Sequence, residues 1–112
     1  MKKIEAIIRK SKFRVVRDAL HEQGVNFFSY WDVTGLGNEK EGHVYRGVAF
    51  STSDIQRRLL SIVVNDDFEK ITIKTILDAA STGEVGDGKI FVSEIKDAYR
   101  IRTGEKGGNT LN

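Results

Sequence analysis

The order in which strand-like and helix-like hydrophobic patterns follow one another constrains this 112-residue chain more than any other feature. Four short runs rich in isoleucine, valine or aromatic residues are typical of strands. Two longer runs repeat their apolar residues at helical spacing. The predicted strands cover residues 2–9, 25–34, 58–64 and 89–95, and the predicted helices follow the first and the third. The order β-α-β-β-α-β predicts the ferredoxin-like α+β fold, in which both helices cover one face of an antiparallel sheet.

Both predicted helices carry residues typical of helix ends. Ser11 is placed to cap the first helix, and Gly24 stands where a C-terminal cap belongs. Asp66 followed by Glu69 resembles a capping box at the start of the second helix. The buried face of the second helix is predicted to hold Phe68, Ile71, Ile76, Ala79 and Ala80. After the last strand we expect a short extended segment at 97–102 and a mobile tail at 104–112.

Length and composition narrow the class of protein. A chain of 112 residues predicts a single domain, residues 1–112. It has no cysteine, no apolar run near the roughly 20 residues that span a bilayer, and a start unlike a secretory signal. These features favour a cytoplasmic protein that is not inserted in a membrane. A net charge of +2 is far below the footprint of a dedicated nucleic-acid binder.

The second face of the predicted sheet would be left without a covering helix. It is expected to carry Phe, Tyr and Ile side chains, and an exposed apolar sheet favours association with another copy of the chain. The aromatic residues Phe27, Phe28, Tyr30 and Trp31 are interpreted as core or interface rather than as a stacking platform. The two histidines, His21 and His43, have no metal-ligand spacing and are interpreted as surface groups.

Two segments could bind an anion. Residues 82–89 (TGEVGDGK) could turn backbone N–H groups towards a phosphate beside a lysine, or could form an ordinary turn. The spacing fits a P-loop, but Ile90 stands where Ser or Thr must bind magnesium, so a P-loop is rejected. Arg100 and Arg102 would point the same way from an extended segment and suit polyphosphate.

A glycine-containing loop from residue 35 to about 56 could bind a partner or be a solvated hairpin.

The chain resembles the PII nitrogen-regulatory signal proteins over essentially its whole length. The resemblance lies in KKIEAIIR at 2–9, Tyr-Arg-Gly at 45–47, TGEVGDGKIFV at 82–92 and YRIRTGEKG at 99–107. It implies a homotrimer with ATP or ADP in three inter-subunit clefts, and regulation rather than catalysis. The long loop, about 37–56, corresponds to the family's T-loop, residues 82–89 to its B-loop and residues 100–107 to its C-loop. The ending also resembles the nitrogenase-associated branch.

The resemblance also assigns roles to individual residues. One subunit would hold the phosphates with Gly86, Asp87, Gly88 and Lys89, and its neighbour would reach them with Arg100 and Arg102. Ser29 and Val63 would lie near the adenine, and the T-loop base beside the nucleotide would comprise Gly35, Gly37 and Asn38. Tyr45, Arg46 and Gly47 resemble the tip that family members insert into ammonium channels, which are the expected type of target.

Departures from the family pattern concern magnesium and 2-oxoglutarate. Asn38 replaces an arginine that supports the phosphates, and Glu39 replaces a glutamine that helps hold the magnesium–2-oxoglutarate complex. Glu39 could still bind Mg²⁺ beside ATP, but would repel the carboxylates of 2-oxoglutarate. Arg57 or Arg58 takes the place of a lysine that grips 2-oxoglutarate. We therefore expect binding of 2-oxoglutarate to be weakened or lost.

Two other functions are compatible with the same fold. RNA-binding modules share the ferredoxin-like order, but residues 89–95 lack the interleaved aromatic residues that such modules use. A small acylphosphatase-like enzyme is the other alternative. The residues of the chain favour the nucleotide-sensing regulator over both.

Overall fold

The central sheet follows from strands whose apolar residues alternate with polar ones. The computed structural model describes residues 1–36, 44–45, 48–49 and 55–111. Its strands are β1 (Lys2–Ile8), β2 (Ser29–Gly35), β3 (Val44–Tyr45), β4 (Val48–Ala49), β5 (Ile55–Val64) and β6 (Gly88–Glu94). Its α-helices are α1 (Phe13–Glu22) and α2 (Glu69–Ala80). Single 3₁₀ turns lie at Lys10–Lys12, Asp66–Phe68 and Gly108–Leu111.

The four long strands form one sheet in the order β2-β5-β1-β6, and every neighbouring pair is antiparallel. The central strand β1 places Ile4 opposite Ile62 of β5 and Val92 of β6. β3 and β4, of two residues each, form a separate hairpin. The predicted ferredoxin-like α+β fold is confirmed.

The core lies between this sheet and the two helices. Alternate residues of β1 are buried, namely Ile4, Ala6 and Ile8. They pack in one cluster with residues from α1 and α2 that include Leu20 and Ile76. Burial of apolar side chains contributes roughly 25 cal/mol per Å², so this layer is the main source of stability. Both helices therefore cover the same face of the sheet.

The starts of both helices differ from the prediction, whereas the end of α1 agrees with it. Ser11 lies inside a 3₁₀ turn, and neither helix has a side-chain cap at its N-terminus. The predicted capping box is also wrong, because the Asp66 carboxylate accepts a hydrogen bond from the amino group of Met1 at 3.0 Å. Gly24 has a φ of 82° and donates its N–H to the His21 carbonyl, as expected for a C-terminal cap.

The buried face of α2 is only partly the predicted one. Ile76 and Ala80 are buried, but Phe68 is 41% exposed. The third buried position is Thr72, whose hydroxyl has no hydrogen-bond partner within the described residues. A polar residue at a buried helix position is invisible to a search for apolar periodicity.

The C-terminal segment turns back on itself after residue 100. Residues 101–103 form a turn, and the backbone N–H of Arg100 donates to the Glu105 carbonyl at 2.7 Å. Tyr99 and Lys106 form an isolated β-bridge across this turn. The expected mobile tail instead folds back as far as residue 111, where the Asn65 side-chain amide donates to the Gly108 carbonyl at 3.0 Å. The predicted extended segment therefore ends at residue 100 rather than 102, and residues 104–111 contact the domain instead of extending away from it.

The face of the sheet opposite the helices is open in the single chain. The strand register aligns Trp31, Leu59, Ile7 and Lys89 in a row across the four strands. Trp31 is 48% and Phe91 55% exposed. Tyr30 lies on the helix side, where its ring centroid is 4.5 Å from that of Phe13. The expected apolar face thus exists, with Trp31 rather than Tyr30 in it.

Candidate functional site

A cleft opens where four strand ends meet at one end of the sheet. β1 ends at Ile8, which pairs with the first residue of β6, and β2 ends at Gly35, which pairs with the first residue of β5. The glycine-rich turn and the base of the long loop therefore emerge side by side. The cleft has a volume of about 720 Å³ and is lined by Ile7, Val33, Thr34, Gly35, Leu36, Ile55, Arg57, Leu59, Val85, Gly86, Gly88, Lys89 and Phe91.

The glycine-rich turn before β6, residues 82–88, is organised around the carboxylate of Asp87. This carboxylate accepts hydrogen bonds from the backbone N–H groups of Thr82 at 2.8 Å and Gly83 at 2.9 Å, and from the Thr82 hydroxyl. The hydroxyl of Thr82, the backbone N–H groups and Arg9 hold the pKa of Asp87 far below its usual range. The side chain of Asp87 therefore closes the turn on itself and is ionised at neutral pH.

Gly88 has no room for a side chain. Its φ is 104°, and an added Cβ would lie 1.6 Å from the carbonyl oxygen of Ile7. Glycine is therefore required where the turn enters β6, beside the last residues of β1.

Backbone donors are available on the cleft side of the turn. Val85 and Gly86 both line the cleft. Within the part of the chain that the structure describes, no oxygen accepts a hydrogen bond from either N–H group. Lys89 is exposed at the same cleft and has no ion-pair partner among the described residues. Free N–H groups beside a lysine are a suitable arrangement for an anion such as a phosphate.

Two arginines from other elements of the fold form hydrogen bonds with the turn. Arg9 follows β1, and its Nε lies 3.1 Å from Asp87 Oδ1 while its Nη2 donates to the Val85 carbonyl at 3.0 Å. Arg57, near the start of β5, donates from Nε to the Gly86 carbonyl at 3.1 Å. Arg9 was absent from the sequence-predicted site, because its partners lie 76 and 78 residues away along the chain.

The structure separates the two arginines that the sequence left as alternatives. Arg57 lines the cleft. Arg58 points to the helix side, where its Nε lies 2.9 Å from Asp32 Oδ1 and its guanidinium carbon lies 4.6 Å from the centroid of the Phe13 ring. Successive residues of a strand face opposite sides of the sheet, so only Arg57 can act in the cleft.

Four of the sequence-predicted site residues lie away from this cleft within one chain. Arg100 forms an ion pair with Glu105, and Arg102 is exposed in the following turn. Ser29 begins β2 opposite Ser61 of β5. Val63 lines a separate cavity of about 190 Å³ together with residues that include Leu111.

The remaining predicted residues fall outside the described side chains. Gly37, Asn38, Glu39, Arg46 and Gly47 lie outside the described residues. Tyr45 is described only as part of β3.

Residues 1–36, 55–111 and the short hairpin contain no group of three acidic, histidine or cysteine side chains that could hold a metal ion. No helix in these described ranges is long and apolar enough to cross a membrane.

Comparison of the sequence with known proteins identifies the family to which this fold and cleft belong. The fold and the cleft define a ferredoxin-like domain with a glycine-rich turn suited to an anion. A family model described as nitrogen regulatory protein P-II matches residues 1–105. A protein named nitrogen regulatory protein P-II from Azospirillum brasilense is 42% identical over 113 residues, which cover 99% of this chain and all of the relative.

Two further relatives carry the same name. The Bradyrhizobium diazoefficiens protein is 45% identical over 109 residues, which cover 96% of each chain. The Klebsiella oxytoca protein is 43% identical over 108 residues, which cover 95% of this chain and 96% of the relative. The chain therefore belongs to the P-II family of nitrogen regulatory proteins, as its motifs predicted. It is a nitrogen signal-transduction regulator, and proteins of this family act through partner proteins.

Proposed function

We propose that the chain senses cellular energy by binding ATP or ADP in the cleft and reports the result to a target protein. The observation that carries the proposal is the free N–H groups of Val85 and Gly86 together with Lys89, all lining one cleft. Backbone donors and an ammonium group can neutralise phosphate oxygens without rearrangement. No catalytic role is proposed for these residues.

The apolar side of the cleft supports the same proposal. Ile7, Leu59 and Phe91 form a wall opposite the polar turn. A nucleotide combines an aromatic base with a charged tail, and pockets for such ligands pair an apolar lining with a few polar groups. An apolar wall also lowers the local dielectric constant and so strengthens the attraction between Lys89 and a phosphate.

We propose that the binding unit is a homotrimer. The open face with Trp31 and Phe91 would be covered by the neighbouring copies. A neighbour could then bring Arg100 and Arg102 to the phosphates, although the two arginines lie outside the cleft of their own chain. Ser29 and Val63 would contact the adenine in the same inter-subunit arrangement, and Gly35, Gly37 and Asn38 would lie at the base of the long loop.

The target would be a protein such as an ammonium channel at the membrane surface, met in the cytoplasm. The long loop, with Tyr45, Arg46 and Gly47, would dock on it. The geometry supports this because Gly35 and Ile55, where the loop leaves and re-enters the sheet, both line the nucleotide cleft. A change of ligand in the cleft would therefore act directly on both ends of the loop.

We propose that 2-oxoglutarate binds weakly or not at all. Arg57 already donates hydrogen bonds to the carbonyls of Gly86 and Gln56, at 3.1 and 2.8 Å. Glu39 would add a negative charge where a dicarboxylate must approach, although it could still bind Mg²⁺ carried by ATP. Titration calorimetry with 2-oxoglutarate and magnesium-ATP should give little heat for the wild type and more for Glu39→Gln. Saturable micromolar binding to the wild type would contradict the proposal.

Nucleotide binding is tested by calorimetry with ATP and ADP on the wild type and Lys89→Met. Loss of a charge-assisted hydrogen bond should weaken binding about ten- to hundredfold. Lys74→Met is the matched control, because Lys74 pairs with Asp78 on α2, away from the cleft. A wild-type protein that is monomeric and binds neither nucleotide would refute the proposed function.

A further inference from the structure

We propose that Arg9 is a positioning residue, which holds the turn 82–88 in the shape that presents its N–H groups to a phosphate. The inference rests on the proposed function of the cleft and adds a residue that does not line it. Arg9 contacts the turn at two points, the Asp87 carboxylate and the Val85 carbonyl. It would act through these two groups rather than by touching the ligand.

The position of Arg9 is set by the sheet. The preceding residue, Ile8, is buried and pairs with Gly88 on one side and with Arg58 on the other. The backbone of Arg9 therefore starts from a strand that is paired on both sides. Its side chain reaches across the end of β1 to a turn that has no regular secondary structure of its own.

The two contacts of Arg9 fix different parts of the turn. The bond to Asp87 reinforces a carboxylate that already ties the turn to its beginning at Thr82 and Gly83. The bond to the Val85 carbonyl points that oxygen towards Arg9, at the end of β1. Because the carbonyl of Val85 and the N–H of Gly86 belong to the same planar peptide unit, orienting one orients the other in the opposite direction.

Arg9 also reduces the repulsion between the Asp87 carboxylate and a bound phosphate. Asp87 places a negative charge in a turn that is proposed to bind phosphate, and like charges repel. The guanidinium of Arg9 lies 3.1 Å from that carboxylate, and both side chains are only 23% exposed. Pairing at this distance neutralises the carboxylate where water screens it incompletely.

An arginine suits the task better than a lysine would. Its planar fork offers several N–H donors in a fixed geometry, so it can hold a carboxylate and a carbonyl together. A lysine would keep the charge but not the paired geometry. The variants Arg9→Met and Arg9→Lys therefore separate the contribution of charge from that of orientation.

The first measurement is hydrogen–deuterium exchange of peptides covering residues 82–88 in the nucleotide-free protein. We expect Arg9→Met to speed exchange at Thr82 and Gly83 about tenfold, and Arg9→Lys to give an intermediate rate. Arg17→Met is the matched control, since Arg17 pairs with Asp18 on the exposed side of α1. Unchanged exchange in a folded Arg9→Met protein would overturn the inference.

The second measurement is the affinity for ATP and ADP. We expect Arg9→Met to weaken binding about tenfold or more and Arg9→Lys to restore part of the loss. Faster exchange with unchanged affinity would overturn the inference, because the turn would then not need Arg9 to bind. A wild type that binds no nucleotide would instead refute the proposed function, and the exchange data would still show whether Arg9 holds the turn.

Circular dichroism and size exclusion establish that each variant is folded. Should Arg9→Met fail to fold, Asp87→Asn provides the second route. The amide oxygen can still accept from the backbone of Thr82 and Gly83 but loses the ionic attraction to Arg9. We expect this variant to exchange faster at the turn and to bind more weakly. Exchange and affinity equal to the wild type would overturn the inference.

Discussion

At the scale of single residues, two residues of the same type can have very different surroundings in this fold. Gly88 is confined by its φ of 104° and by the Ile7 carbonyl, whereas an added Cβ at Gly35, at the other side of the cleft, would meet no atom of the described residues within 4 Å. Thr72 is completely buried and its hydroxyl has no partner in the part of the chain that the structure describes, whereas Thr75 on the same helix donates its hydroxyl to the Ile71 carbonyl. These contrasts supply matched pairs of variants.

We expect Gly88→Ala to lower the free energy of unfolding by at least about 2 kcal/mol, because the methyl group would meet backbone atoms and the φ disfavours any side chain. Gly35→Ala should change it by less than about 1 kcal/mol. Urea unfolding at one fixed protein concentration measures both. Equal stability of the two variants would contradict the observed clash.

Thr72→Val should leave stability unchanged or raise it by up to about 1 kcal/mol, since it removes a buried hydroxyl that makes no hydrogen bond while keeping the volume. Thr75→Val is the control, and it should gain less because it loses a hydrogen bond. Thermal unfolding of the two variants provides the comparison. A clear destabilisation by Thr72→Val would show that the hydroxyl has a partner.

At the scale of elements, three of the four long strands and the glycine-rich turn were predictable, whereas the helix starts and the path of the C-terminal segment were not. Strand periodicity gave β1, β5 and β6 within a few residues, because burial on one face requires alternation. The 3₁₀ turns before α1 and α2 continue the helical spacing, so pattern alone could not reveal that Ser11 and Asp66 lie inside them. The C-terminal turn is closed by local contacts between residues 98–100 and 104–107, and the glycines Gly104 and Gly107, both with positive φ, were its sequence signal.

The same contrast holds for the site. The family motifs identified Gly86, Gly88 and Lys89, which the cleft brings together with Gly35. Spacing could not decide between Arg57 and Arg58, because the register of β5 determines which of them faces the cleft. Arg9 could not be found from local pattern, since a contact across 78 residues leaves no trace in the surrounding sequence.

The turn 82–88 should respond to acid. The pKa of Asp87 is lowered in the folded protein, so its ionised form adds stability that is complete above the usual aspartate pKa of about 3.9. This stability is lost as the pH falls below that value towards the folded pKa. Unfolding from pH 7 to pH 2 should show the stability difference between wild type and Asp87→Asn constant above about pH 4 and narrowing steadily below it. A difference that stays constant over the whole range would contradict the assignment.

At the scale of the whole molecule, one face of the sheet is covered by its own helices and the other is not. The open face combines the aromatic residues Trp31 and Phe91 with Lys3 and Glu5, whose charged groups lie 3.4 Å apart. Such a mixture is typical of interfaces between subunits, in which an apolar centre is accompanied by a few paired polar groups. Assembly into the proposed trimer would remove this surface from water.

We expect Trp31→Glu to convert the proposed trimer to monomers, because it places a charge within the proposed interface. Val15→Glu is the control, since Val15 is 53% exposed on α1. Sedimentation velocity measures the oligomeric state of each variant. An unchanged trimer for Trp31→Glu, or dissociation by Val15→Glu, would place the interface elsewhere.

The end of β1 has a consequence for how relatives of this chain can diverge. Ile8 is paired on both sides, so inserting or deleting a residue within β1 would exchange its inward and outward side chains, and the same change within β5 would turn Arg57 away from the cleft. The 19 positions between Gly35 and Ile55 lie outside this constraint. A change of length between residues 40 and 54 would leave that register intact, so the proposed docking loop could vary while the groups that line the cleft keep their positions.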